Sequence, residues 1–349
     1  MIGRIARAIV VVVAAGAAGC AAPQTPHHST PIVLPDPPVA AVRPVATYSI
    51  IARNNVTGEM GAAVQSHWFS VGSVVPWIRQ GVGVVATQSM VDVSYGPLGL
   101  ELMSTGVDAW STIQALRARD PNAELRQVAM IDSQGRMGIV DGARCIQHAD
   151  GCGVIGADFT VCCQANLMER EGVPKAMLEA FQATPGELSE RLMAALEAAE
   201  GAGGDIRGRQ SAAMVTVHGG PPTLTPWREK VIDIRVEDHR DPLGELRRVL
   251  IIARGYAAMN EGDLALERGD VDAALAAYAR AEGLIPDNVE PSFWTAVSLA
   301  NAGRVDDALP RLARCYAASD NWRETLRRLV PAQLLTVDDA TLQRMLDAK

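Results

Sequence analysis

Between Thr47 and Arg53 polar and apolar side chains alternate around Ile50 and Ile51, which is the period of a strand. Met60 to Gln65 reads as its hairpin partner across the turn residues Asn54, Asn55, Thr57 and Gly58. A loop holding Gly72 and Pro76 leads to a third strand at Val82 to Thr87. Asp108 is placed to cap a helix running to about Arg119. Leu125 to Ile131 and Arg136 to Val140 then pair as a hairpin around Asp132-Ser133-Gln134-Gly135. Thr184-Pro185-Gly186-Glu187 has the form of a capping box with Pro at the first helical position, and the helix behind it aligns Leu188, Leu192 and Leu196 on one face. After the break at Gly201 to Gly204, strands are expected at Ala212 to Val217 and Val231 to Val236. Strands, then helices, then strands again predict an α+β fold with antiparallel sheets and segregated helices, not a doubly wound parallel sheet.

The C-terminal quarter has a different period. Gly269, Asp272, Ala274 and Leu275 recur as Gly303, Asp306, Ala308 and Leu309, each 34 residues on. That is the tetratricopeptide period, and Gly262, Tyr278, Ala281 and Pro286 supply the small, aromatic, small and helix-ending residues such repeats use. About three units are needed for a stable array, so helices near Leu243 to Arg254 and Trp322 to Leu329 are expected to complete it. Such modules bind peptides or partner proteins, or brace a neighbouring domain.

Composition narrows the picture. With 48% hydrophobic and 21% charged residues the chain is globular rather than disordered, and 349 residues suit two domains plus an appendage. A net charge of −8 and the lack of a long Lys/Arg run argue against a nucleic-acid surface. The start of the chain reads as a processing signal: Arg4 and Arg7, an apolar run from Ala8 to Ala18, then Gly19 and Cys20. The run is too short to span a bilayer. Ala17-Ala18-Gly19-Cys20 resembles a bacterial lipobox, in which the Cys is lipidated and becomes the new N-terminus; ordinary signal-peptide cleavage nearby is the competing reading. Residues 21–46, with seven prolines and no apolar period, read as a tether. The expected organisation is a signal over 1–20, the tether over 21–46, a first folded domain over 47–241 and the helical repeats over 242–349, in an exported protein held to the envelope membrane by lipid.

From Thr47 to about Pro242 the sequence resembles the family of domain of unknown function 1028, which is placed with the N-terminal-nucleophile (Ntn) hydrolase-like proteins. The resemblance is carried by Thr47-Tyr48-Ser49-Ile50, Val64-Gln65-Ser66, Val71 to Trp77, Gly81 to Gln88, Tyr95-Gly96-Pro97, Gly208 to Ala213 and Asp238 to Pro242, in the family's order. It implies an αββα sandwich of two stacked antiparallel sheets between helical layers. One segment departs: where the family has Gly before Asn166, this chain has Ala165, which reaches positive φ less cheaply.

The resemblance also implies a chemistry. In Ntn hydrolases the first residue of the processed chain is a Thr, Ser or Cys whose side chain attacks an amide carbonyl while its own α-amine serves as base. Thr47 stands where that nucleophile belongs, but it is internal, so it has no α-amine unless the Ala46–Thr47 bond is cut; otherwise it is simply a β-branched strand residue. Ser66, His67, Gln88, Ser89, Asn166 and Arg209 fall in family-like segments as candidates to bind an oxyanion or a carboxylate. Each has a structural alternative, and for Arg209 that is an ion pair with Asp205 or Asp233. A bridge between Cys145 and Cys152 or between Cys152 and Cys162 is expected in an exported protein, and in a strand the vicinal Cys162 and Cys163 face opposite sides. Cys145, His148, Cys152 and Cys162 match no compact zinc motif, and no sequence signal calls for a cofactor. Two functions follow from this reading. One is an exported amidohydrolase acting on an amide or peptide of the cell envelope. The other is a non-catalytic binding protein whose repeats recruit a peptide or protein partner.

Overall fold

The computed structural model describes residues 44–45, 47–222 and 230–349, so Cys20, the signal and nearly all of the tether lie outside the described residues. Two antiparallel sheets face each other. The first holds β1 (Pro44–Val45), β4 (Pro76–Arg79), β5 (Gly83–Met90), β6 (Arg126–Asp132) and β7 (Met137–Asp141), in the order β1-β5-β6-β7 with β4 also on β5. The second is ordered β11-β10-β3-β2-β9-β8, from β11 (Lys230–Val236), β10 (Ser211–Val217), β3 (Met60–Ser66), β2 (Thr47–Asn54), β9 (Phe159–Ala165) and β8 (Asp150–Ile155). Helices α1 (Tyr95–Ser104) and α2 (Ala109–Arg117) cover the outer face of the first sheet. Helices α3 (Val173–Ala183) and α4 (Leu188–Gly201) cover the outer face of the second.

This layering explains the sequence pattern. A strand with both faces covered needs no polar side, and β2, β3 and β10 are buried almost throughout. Along β2, Tyr48, Ile50 and Ala52 enter the core under the helices, while Ile51 joins Val64, Ala86, Ile131 and Ala213 in the core between the sheets. The edge strand β11 instead alternates: Ile232, Ile234 and Val236 are buried, and Asp233 and Arg235 between them keep charge along the open edge.

A single 26-residue helix, α5 (Pro242–Glu267), links the two parts. Its Leu243, Leu246 and Leu250 complete the core beneath the second sheet, and its Ala258, Met259 and Ala265 pack on α6 (Val271–Leu284). Then come α7 (Glu290–Asn301), α8 (Val305–Ala318), α9 (Asn321–Leu329) and α10 (Asp339–Leu346). The first residues of α6 and α8, Val271 and Val305, are 34 residues apart. Among the described residues no helix is long and apolar enough to cross a membrane.

Several local expectations change. The capping box at Thr184 does not form: Thr184 Oγ1 donates back to Ala180 O at 2.8 Å, closing α3, and α4 starts at Leu188 with no side-chain cap. Gly186, at φ 92°, makes the turn between the two helices. Loop chemistry around Pro76 conceals β4, and β8 is hidden by its glycines. A Cβ on Gly151 would stand 2.7 Å and one on Gly153 3.0 Å from Ile139 of β7, so glycine is what lets β8 approach β7.

Candidate functional site

At one end of the sandwich the strands bring hydroxyls into a row. Thr47 stands opposite Ser66, and Ser66 stands opposite Ser211, across β2, β3 and β10. All three are fully buried. Because Ile51, Val64 and Ala213 face the other sheet, the two-residue period of the strands turns Thr47, Ser66 and Ser211 the same way. The Ser211 hydroxyl is fixed, donating to Trp68 O and accepting from the Val71 amide at 3.0 Å.

Amides fill the gap between the sheets beside that row. Ser49 Oγ donates to Gln88 Oε1 at 2.6 Å, and Gln88 Nε2 donates to Gln127 Oε1 at 2.7 Å and to the Thr47 carbonyl at 3.2 Å. Asn166 Nδ2 donates to the same Gln127 oxygen at 2.9 Å, while the Asn166 backbone amide donates to the Thr47 carbonyl at 3.1 Å. Gln127 Nε2 then reaches the Ala165 carbonyl at 2.8 Å and Asp141 Oδ1 at 2.6 Å. Gln164 Nε2 donates to the Ala86 carbonyl at 3.1 Å. Burying so many amides is tolerable only with partners, and the network supplies them. Two atoms in it have no partner among the described residues: Gln164 Oε1 and Asn166 Oδ1.

The backbone is strained at the same place. Ser89 (φ 71°) and Leu167 (φ 56°) each directly follow a network residue, Gln88 or Asn166, in the left-handed region that disfavours side chains. Such residues concentrate at functional sites, where the surrounding structure holds them. The left-handed residue is thus Leu167, whereas Ala165 lies within β9, so Ala in place of the family's Gly costs no strain there. Beneath Ser89 a fully buried Arg126 pairs with Asp120 at 2.7 Å and donates to the Met90 carbonyl, while Tyr95 donates to Asp120 at 3.1 Å. Burial alone would raise the Asp120 carboxyl; the hydrogen bonds from Arg126 and the Asn122 amide outweigh it and hold Asp120 below the usual carboxylate range.

The segment ahead of Thr47 crosses between the sheets. Val45 pairs with Ser89 and Pro44 with Met90 on the first sheet, yet Thr47 opens a strand of the second. Thr47 is wholly buried in the uncut chain.

Of the sequence candidates, Thr47, Ser66, Gln88, Ser89 and Asn166 are buried at this one end. His67 and Arg209 are exposed and line a surface groove with Gln210, Asp238 and His239. Arg209 pairs with Glu200 at 3.3 Å and Asp241 at 3.5 Å, correcting the expected Asp205 and Asp233, which are taken by Arg207 and by Lys230 and Arg235. Glu200 also accepts from the Tyr48 hydroxyl at 2.7 Å, so Arg209 bears on the residue next to Thr47 from the helical side of β2. Burial, then the Glu200 carboxylate, push the Tyr48 hydroxyl well above its ordinary value. Gln127, Gln164, Ser49 and Ser211 escaped the sequence reading; glutamines at inward positions of buried strands were the available signal.

Against known proteins, a family model described as a family of unknown function (DUF1028) matches residues 47–246. The crystal structure of protein SPO2555 from Silicibacter pomeroyi, labelled with the same family, is 28% identical with a TM-score of 0.51, over 59% of this chain and 88% of that one. No curated protein matches the chain.

Proposed function

The chain belongs to this family of unknown function over residues 47–246, and on that premise we propose that the gap between its sheets is the site of an Ntn-type amidohydrolase with Thr47 as nucleophile. The observation that carries the reading is the crossing of the chain from Val45 on one sheet to Thr47 on the other, at the hydroxyl row and the amide network. The family match itself begins at Thr47. Cutting the Ala46–Thr47 bond would give Thr47 an α-amine, whose ordinary pKa of about 7.7–8.0 suits a base at neutral pH. That amine would take the hydroxyl proton as Thr47 Oγ attacks an amide carbonyl, then pass it to the leaving amine; water would release the acyl group. The Ser89 hydroxyl, one residue past Gln88 at the left-handed position, is the candidate donor to the oxyanion. Gln88 and Asn166 position the Thr47 carbonyl.

On this reading α5 to α8 form tetratricopeptide-like pairs that brace the sandwich or take a peptide partner, and the segment ending at Cys20 exports the chain and anchors it by lipid. Substrates are amides or peptides of the cell envelope. The complete burial of Thr47 favours one second reading, a non-catalytic binding protein that is never cut. Intact mass and N-terminal sequencing of protein from its native envelope separate the two. A chain starting at Thr47 supports the hydrolase; one still continuous through Ala46–Thr47 leaves no α-amine and sinks it.

A further inference from the structure

Cys152 on β8 and Cys163 on β9 stand directly opposite each other in the antiparallel register. Directly opposed residues put their side chains on the same face, with Cα atoms about 4.5–5.5 Å apart, inside the range a disulfide bridges. That face is the helical one: Cys163 belongs to the core beneath α3 and α4, and Cys152 packs against its margin. The expected partners are placed elsewhere. Cys162 turns to the opposite face, toward Met137 Sδ at 3.6 Å and opposite Gly153, and Cys145 lies beside the Arg126 carbonyl at 3.5 Å. Both thiols of the opposed pair are free.

The two sulfurs are unequal. Cys163 is fully buried, whereas Cys152 is only half-buried on β8, an edge strand of its sheet. The opposed Cys163 thiol holds Cys152 below the ordinary thiol value, while burial pushes Cys163 well above it. An accessible thiol that ionises beside a buried one that does not is the asymmetry of a dithiol that attacks and then resolves. We propose that Cys152 and Cys163 form a redox site that reduces a small aliphatic disulfide and closes into a cross-strand staple. The Cys152 thiolate attacks one sulfur of the disulfide R–S–S–R and expels a thiolate, leaving Cys152–S–S–R. Cys163 then gives up its proton and attacks the Cys152 sulfur, expelling the second thiolate. Two protein thiols are oxidised and R–S–S–R is reduced to two R–SH.

The staple would tie an edge strand of the second sheet to its neighbour next to Gln164, where Asp150 O and Ala165 O accept from Gln127. The proposal stands apart from the nucleophile reading, since neither thiol touches Thr47 or needs the chain cut.

Bis(2-hydroxyethyl) disulfide is the probe for the reduced full chain, because Asp141, Asp150 and Glu179 near Cys152 would repel an anionic disulfide. Remaining thiols are alkylated after denaturation and the peptides mapped. The expected result is a Cys152–Cys163 linked peptide with Cys145, Cys162 and Cys315 alkylated, and a Tm that rises by about 5 °C or more and falls back on reduction, as for a closed loop of about 12 residues. The Cys163→Ala variant should stop at a mixed disulfide on Cys152, and Cys152→Ala should take up no probe at Cys163. A bridge from Cys152 to Cys162 or Cys145, or a Cys152 that stays fully alkylated under these conditions, overturns the proposal.

Discussion

Gln88 and Gln127 stand opposite each other on neighbouring strands, and the Gln88 amide donates to the Gln127 carbonyl oxygen at 2.7 Å. Together they reach across the gap to Thr47, Ala165 and Asn166 of the facing sheet. With the bond from Gln164 to the Ala86 carbonyl, they fix the two sheets in one position at the end where Thr47 opens its strand.

The lock is testable at Gln127. Replacing it by Leu would strand Asn166 Nδ2 in the core and remove one hydrogen bond each from Gln88 Nε2 and the Ala165 carbonyl. With an orphaned polar group costing about 1–3 kcal/mol, Gln127→Leu should lose about that much. Urea unfolding reads this as a lower midpoint; an unshifted midpoint would show that the network carries no stability.

Thr47 gives a second prediction. In protein carrying a cut before residue 47, Thr47→Ser should retain a measurable fraction of amide turnover and Thr47→Ala none above background, with unchanged circular dichroism. Equal turnover by the Ala variant would remove the hydroxyl from the mechanism.

The buried Arg126–Asp120 pair predicts an acid response. Asp120 titrates below its unfolded value near 3.9, so its contribution is complete above that pH and is lost as pH falls through the lower, folded value. Asp120→Asn should cost about 3–5 kcal/mol at neutral pH, because it leaves Arg126 charged and buried, and should flatten the decline in stability below about pH 4. Thermal melts of both proteins from pH 2 to 7 decide it; parallel acid limbs would refute the assignment.

In the helical part, a Cβ on Gly262 would lie 2.6 Å from the Tyr278 ring, which is buried and bonded through its hydroxyl to Asp263 at 2.5 Å. Alanine would gain about 1 kcal/mol in helix propensity but force α5 and α6 apart. Gly262→Ala should therefore destabilise by about 1–2 kcal/mol net, seen as a lower Tm, while the same change at Gly283, which has open space, should not lower it.

Much of this was readable along the chain. The alternation of Thr47 to Arg53, the turn residues ahead of Met60 to Gln65 and the Gly-rich break ahead of Ala212 to Val217 marked strands that formed at those places, and Asp108 caps α2 through the Ser111 amide at 2.9 Å. The segments around Thr47, Gln88 and Asn166 indicated the end of the fold where the candidate site lies. These are local signals, written in residues a few positions apart.

What the sequence by itself determined is therefore local: where β2, β3, β10 and β11 run and where α2 is capped. Only the tertiary structure decided that Cys152 meets Cys163 rather than Cys162, that Arg209 pairs with Glu200 and Asp241, and that Gln127 joins Asn166 to Gln88. The physical reason is that strand period fixes a side chain's face but not its partner across the ladder. That partner depends on register and on how two sheets stack, both set by the summed packing of residues far apart in the chain.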